Sequence, residues 1–132
     1  MSRSLIQTSN TSSQTVAAES VISLGAVLRR FGCNCRLNGN AIEIEGDGYY
    51  IVDVVATVIP DEAGEVTIAL TQNDTVISGT TTTNTVAAVD TYTTLPIVTT
   101  VRLTCCNTMA LKVLLVEGAG TVTNISARVY KV

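Results

Sequence analysis

Histidine and tryptophan are absent from this 132-residue chain, phenylalanine occurs once, proline twice, and aromatic residues make up 4% of the total. Without histidine, neither a Ser-His-Asp nor a Cys-His catalytic constellation can form within the chain, and a histidine-based zinc site is excluded too. Charged residues are scarce, at 14%, with a net charge of −3. That acidic surplus argues against binding driven by nucleic-acid phosphates. No run of about 18 apolar residues exists, so no membrane-spanning helix is predicted. Near the N-terminus the longest apolar stretches are Leu5-Ile6 and Val16-Ala17-Ala18, well short of the roughly 7–15 residues of a secretory signal core. The expected site of synthesis and assembly is a cytoplasm.

What is present is a β-rich chain of single-domain length. Apolar residues reach 46%, enough for a self-sufficient core. Residues 1–20 are dominated by Ser, Thr, Gln, Asn and Ala and lack periodicity; they read as an extended arm. From residue 21 onward β-branched Thr and Val, which favour strands, are the commonest residues. Strand-like runs follow one another: Val21–Arg29, Asn34–Leu37, Ala41–Glu45, Tyr49–Ile59, Glu65–Gln72, Thr75–Ser78, Thr94–Thr104, Ala110–Val116 and Val122–Val132. They are separated by turn chemistry at Asn38-Gly39-Asn40, Gly46-Asp47-Gly48, Pro60 to Gly64, Asn73-Asp74 and Gly118-Ala119-Gly120. No stretch reads as an amphipathic helix. The fold class expected is all-β: an antiparallel β-sandwich or jelly roll over residues 21–132.

Alternation assigns the faces. Val66, Ile68 and Leu70 oppose Glu65, Thr67 and Thr71; Ile125, Ala127 and Val129 oppose Asn124, Ser126 and Arg128. The run Tyr49–Ile59 breaks this rule. Tyr50, Val52, Val54, Ala56 and Val58 form one apolar face, and Tyr49, Ile51, Val55 and Ile59 make the other apolar as well, interrupted by Asp53 and Thr57. One cover is the core; the other is a second chain or a loop of the same chain.

Candidate chemistry is sparse. Cys33-x-Cys35 and the vicinal pair Cys105-Cys106 are compatible with buried free thiols, with one or two disulfides, or with a four-thiolate zinc site, although the spacings are not those of zinc knuckles. Glu43, Glu45 and Asp47 offer paired carboxylates for glycoside hydrolysis or calcium; a solvated strand face beside a turn is the reading adopted. Arg29-Arg30 can grip a partner's carboxylate. Thr80 to Asp90 reads as a long polar loop able to meet a sugar or a cell surface. No catalytic residue, metal or cofactor is expected.

The segment from Asn38 to Tyr50, with Ala41-Ile42-Glu43-Ile44 leading into Gly48-Tyr49-Tyr50, resembles the start of the third strand of complement-globular-head/tumour-necrosis-factor-like jelly rolls. The segment Val66 to Gly79 is similar to the hairpin of the same group, with Asp74 standing where Gly is usual. Val27-Leu28-Arg29-Arg30-Phe31-Gly32, Gly48-Tyr49-Tyr50 and Cys105-Cys106 further resemble the short members that serve bacteriophages as head-fibre or capsid-decoration proteins. The resemblance implies a homotrimer on a virion surface, with Tyr49, Tyr50, Ile51, Asp53, Val55 and Tyr130 at the threefold interface. It also implies attachment to a major capsid protein through an N-terminal arm that includes Ser4, Leu5, Ile6, Thr8 and Asn10. On that reading, deleting residues 1–20 abolishes particle binding and leaves the trimer. A carbohydrate- or receptor-binding fibre tip, using Thr80 to Asp90, is the alternative.

Overall fold

The computed structural model describes residues 3–88, 91–104 and 107–132, and among them there is no helix. The strands are β1 (Leu5–Asn10), β2 (Gln14–Val16), β3 (Ser20–Val21), β4 (Ala26–Phe31), β5 (Cys35–Asn38), β6 (Ala41–Glu45) and β7 (Gly48–Pro60). They continue as β8 (Gly64–Gln72), β9 (Thr75–Val76), β10 (Thr82–Val86), β11 (Thr93–Leu103), β12 (Thr108–Glu117) and β13 (Gly120–Lys131). The first sheet has the order β11-β7-β13-β1-β4, with β2 on β13; the second has the order β10-β8-β12-β6-β5, with β3 on β12 and β9 on β8. Every pairing is antiparallel. The sandwich expected from the alternation is the architecture observed.

The core lies between the sheets. Ile6, Val52, Val54, Leu95, Ile97, Ile125 and Val129 of the first sheet meet Ile44, Ile68, Leu70, Leu111, Val113 and Leu115 of the second, all essentially inaccessible to solvent. β13 and β7 pair along most of their length, from Gly120 opposite Pro60 to Lys131 opposite Tyr50. They form the central ribbon of the first sheet.

The expected run Val21–Arg29 is two strands. β3 belongs to the second sheet and β4 to the first, and Gly25 makes the crossing with φ +79°; a Cβ there would lie 2.4 Å from the Ser9 carbonyl oxygen. Only glycine takes that backbone at that approach. At the β8–β9 hairpin Asn73 and Asp74 both have positive φ, 51° and 68°, as a two-residue type I′ turn demands.

Residues 3–20 do not form an extended arm, which corrects the expected division at residue 20. β1 sits inside the first sheet, paired with β13 from Leu5 opposite Tyr130 to Asn10 opposite Ile125, and with β4 on its other side. Ile6 and Thr8 are fully buried and Ser4 nearly so. The polar composition hides a strand whose buried phase carries only Ile6 and Thr8 between weakly apolar neighbours. Thr80 to Asp90 is likewise not a free loop. Thr82–Val86 is β10, which pairs with β8. Thr80 is buried, accepting from Leu70 N–H at 3.3 Å and lying 2.7 Å from the Ile77 carbonyl that accepts its hydroxyl. Val89 and Asp90 lie outside the described residues.

Candidate oligomer interface

Register places the outward side chains of the first sheet in rows. Thr100 (β11), Ile51 (β7), Tyr130 (β13), Leu5 (β1) and Phe31 (β4) are successive neighbours across the strands. The next row is Val98, Asp53, Arg128, Gln7 and Arg29, and the one after it begins Pro96, Val55, Ser126 and Ser9. Large apolar side chains are exposed on this face: Phe31 at 62%, Val98 at 71% and Val55 at 45% in these rows, and Tyr49 at 53% in the row beyond Ile51, opposite Arg102. Ile51 and Tyr130 are half-buried. The face thus carries exposed apolar side chains on both sides of a row centred on Asp53 and Arg128, on a sheet whose other side is already the core.

The polar row is organised around one ion pair. Arg128 donates to Asp53 Oδ2 through Nε at 3.1 Å and through a terminal guanidinium nitrogen. That carboxylate holds the Arg128 guanidinium above its ordinary pKa, first through the hydrogen bond and then through its charge. The Arg128 guanidinium also lies 5.2 Å from the Tyr130 ring centroid, and Arg102 lies 5.5 Å from that of Tyr49. Both arginines lie over aromatic rings at cation–π distance. A depression of about 670 Å³ is lined by Leu5, Gln7, Phe31, Arg128 and Tyr130, with Arg3, Ser4, Lys131 and Val132 at its end.

Of the residues the sequence pointed to, Tyr49, Ile51, Asp53, Val55 and Tyr130 share this outward face. Tyr50 does not, and its assignment to an interface is corrected. It is fully buried, and its hydroxyl is directed at the carbonyls of Glu45 (3.0 Å) and Gly46 (2.7 Å). Strand alternation makes this unavoidable once Tyr49 faces out. Burial raises the Tyr50 pKa above its usual value. The sequence reading missed Pro96, Val98 and Arg128. The signal is there in β11, where Pro96 and Val98 make the phase opposite Leu95 and Ile97 apolar too, as in β7.

The residues expected in a capsid-binding arm are committed to the domain's own sheet, a second correction. Ser4 Oγ donates to Asn34 Oδ1 at 2.6 Å and accepts from Asn34 N–H at 3.2 Å; the Lys131 N–H donates to the Ser4 carbonyl at 3.0 Å. Leu5, Ile6, Thr8 and Asn10 lie in β1, and Asn10 Nδ2 donates to the Ser23 carbonyl at 3.2 Å. With both strand edges paired, β1 has no ladder left to offer a capsid.

Elsewhere, Glu43 Oε1 accepts from Arg36 Nε and Asn38 Nδ2, each at 3.1 Å, and Glu45 lies 3.8 Å from Arg36. Both carboxylates lie in β6 and are ion-paired to Arg36 of the neighbouring edge strand β5. Cys33 is an exposed free thiol and Cys35 a buried one, whose pKa burial pushes up to about 11 against the opposing pull of Arg30 and Lys131. Cys105 and Cys106 lie outside the described residues.

No family model matches the chain, and no curated protein matches it. Solved structures do. The chain is similar to murine APRIL at pH 5.0 (TM-score 0.70, 11% identity, 99% of this chain and 100% of that one). It is also similar to the globular domain of zebrafish complement 1qA protein (TM-score 0.71, 5% identity, 94% of each chain). A third similar structure is the PRD1 vertex protein P5 (TM-score 0.63, 10% identity, 98% of this chain and 96% of that one). The fold is a jelly roll of the tumour-necrosis-factor/complement-globular-head type. At these identities the likeness speaks for fold alone.

Proposed function

We propose that this protein is a non-enzymatic structural subunit of a bacteriophage virion, assembled as a homotrimer through the outward face of its first sheet. The observation that carries the reading is that face: apolar rows through Ile51, Tyr130, Leu5 and Phe31, and through Pro96 and Val55, with Val98 beside them, on a sheet already covered on its other side. A surface of this kind is the signature of an interface rather than of a free wall. The Asp53–Arg128 pair at its centre fixes how copies register against one another, a role that polar groups within apolar interfaces serve. A rotation that closes around an axis buries the same face in every copy. The similarity in fold to a phage vertex protein supports the virion setting, with the major capsid protein as the support and assembly in the host cytoplasm.

The test is an antibody raised against the purified chain and applied to intact phage particles of the source culture. Label on the capsid surface is the expected result. Particles that remain unlabelled, while the protein is found free in the lysate, would overturn the virion reading. The glycan-binding tip draws no support from the Thr80 to Asp90 segment, most of which is strand or buried.

A further inference from the structure

We propose that the outer edge of β4 takes up an extended, acidic and apolar segment of a different protein chain as an added strand. β4 pairs with β1 on one side and has no strand neighbour on the other among the described residues. All its residues, Ala26–Phe31, are exposed, including Val27 at 41%, Leu28 at 59% and Phe31 at 62%. An open strand edge carrying large apolar side chains is a template for strand addition.

The other strands that end the two sheet orders, β11, β10 and β5, carry local devices against strand addition. β11 carries Pro96, whose carbonyl accepts from Thr82 Oγ1 at 2.6 Å. β10 is tied across to β11, with Asn84 Nδ2 donating to Thr93 Oγ1 at 2.9 Å and to the Thr94 carbonyl at 3.2 Å. β5 is short and carries the Arg36–Glu43 pair. β4 has no proline, and its charges are of one sign.

Those charges select the occupant. Two copies of β4 pairing antiparallel, in any register centred on residues from Leu28 to Arg30, set Arg29 or Arg30 of one copy opposite or diagonal to an arginine of the other. Like charges so placed oppose pairing, so a second copy is disfavoured. A strand with carboxylates beside Arg29 gains charge-assisted bonds on one face while its apolar residues meet Leu28 on the other. Arg30 Nε is engaged by the Cys35 carbonyl at 2.8 Å, whereas Arg29 has only a 3.5 Å approach to Gln7 Oε1; Arg29 is the residue presented to the partner. Arg29 and Phe31 also end two rows of the outward face, whereas Leu28 and the open backbone edge of β4 belong to neither row, and these are what the probe reads.

The probe is an acetylated eight-residue peptide of alternating Glu and Val, added to the full chain, with amide exchange read by NMR. Protection of freely exchanging amides within Ala26–Phe31 is expected, weakened by about tenfold or more in Arg29→Glu, equivalent to roughly 1.4 kcal/mol. Leu28→Lys is expected to weaken it too, and a peptide N-methylated at alternate amides to give none. Absence of protection at about 1 mM peptide, where even a weak complex is populated, would overturn the proposal. So would binding indifferent to Arg29→Glu. Protection that grows with protein concentration and needs no peptide would replace the foreign strand by a second copy. A solution mass taken on the same sample reports separately on the trimer.

Discussion

Replacing Ile6 by alanine asks whether the N-terminal segment is a structural strand or a tether. Ile6 is fully buried, between β13 and β4, with its side chain in the core cluster. Its truncation removes the transfer energy of the lost methyl and methylene groups and leaves a cavity, together about 3–4 kcal/mol for a site walled by sheet on both sides. For a domain of this size that corresponds to a fall in Tm of roughly 12–16 °C. The matched control is Gln7→Ala, one residue on and on the outward face, expected to cost within about 0.5 kcal/mol. Thermal unfolding by circular dichroism at one fixed protein concentration reads both, the fixed concentration removing the mass-action shift of an oligomer. A fall of less than about 3 °C for Ile6→Ala would refute the placement of β1 in the core. Deletion of residues 1–20 carries the same logic further: it strips β4 of its partner and opens an edge of β13, and the expected product is unfolded rather than a trimer lacking arms.

Further outcomes follow from single groups. Thr8 Oγ1 is buried with no hydrogen-bond partner among the described residues, so Thr8→Val is expected to stabilise by about 1 kcal/mol in urea unfolding; a loss of that size would mean the hydroxyl is satisfied. Asp74 sits at φ 68°, so Asp74→Gly is expected to gain about 0.5 kcal/mol net, the relieved backbone exceeding the exposed Lys112–Asp74 pair at 3.0 Å. Cys35 ionises at about 11 in the fold against 9.0 as an isolated thiol. The native state therefore holds this proton longer than the unfolded one, so the Cys35 contribution to stability is constant below about pH 9 and declines as pH rises toward about 11. Cys35→Ala should make the alkaline decline shallower, and peptide mapping after brief alkylation should find Cys33 modified and Cys35 protected.

The sandwich is legible in the sequence because most strands carry a strong period of two. Ala41–Glu45 is found with the expected bounds, and Tyr49–Ile59 differs from β7 by one residue at each end. The double apolar phase of that strand also marks the outward face of the first sheet by residue pattern alone. What escapes has a physical cause in each case. β1 hides because its inward Thr8 is polar and its ladder partners, β13 and β4, are distant in sequence or defined only by tertiary pairing. β10 hides because Thr and Asn fill it, and only its last residue, Val86, is a buried hydrophobe. Tyr50 is misassigned when the aromatic pair Tyr49-Tyr50 is read as one feature, because adjacent strand residues must face opposite ways. The arginines on the outward face, Arg102 and Arg128, acquire meaning only from the register that brings them over Tyr49 and Tyr130.

The central claim is the closed trimer through the first sheet. Light scattering on the purified chain, beside Val55→Glu at the same concentration, tests it directly. A mass of about 41 kDa, three times the 13.8 kDa chain, is predicted for the natural sequence, falling to that of one chain when a charge is placed among the apolar rows. A natural chain that scatters as a single 13.8 kDa unit would contradict it.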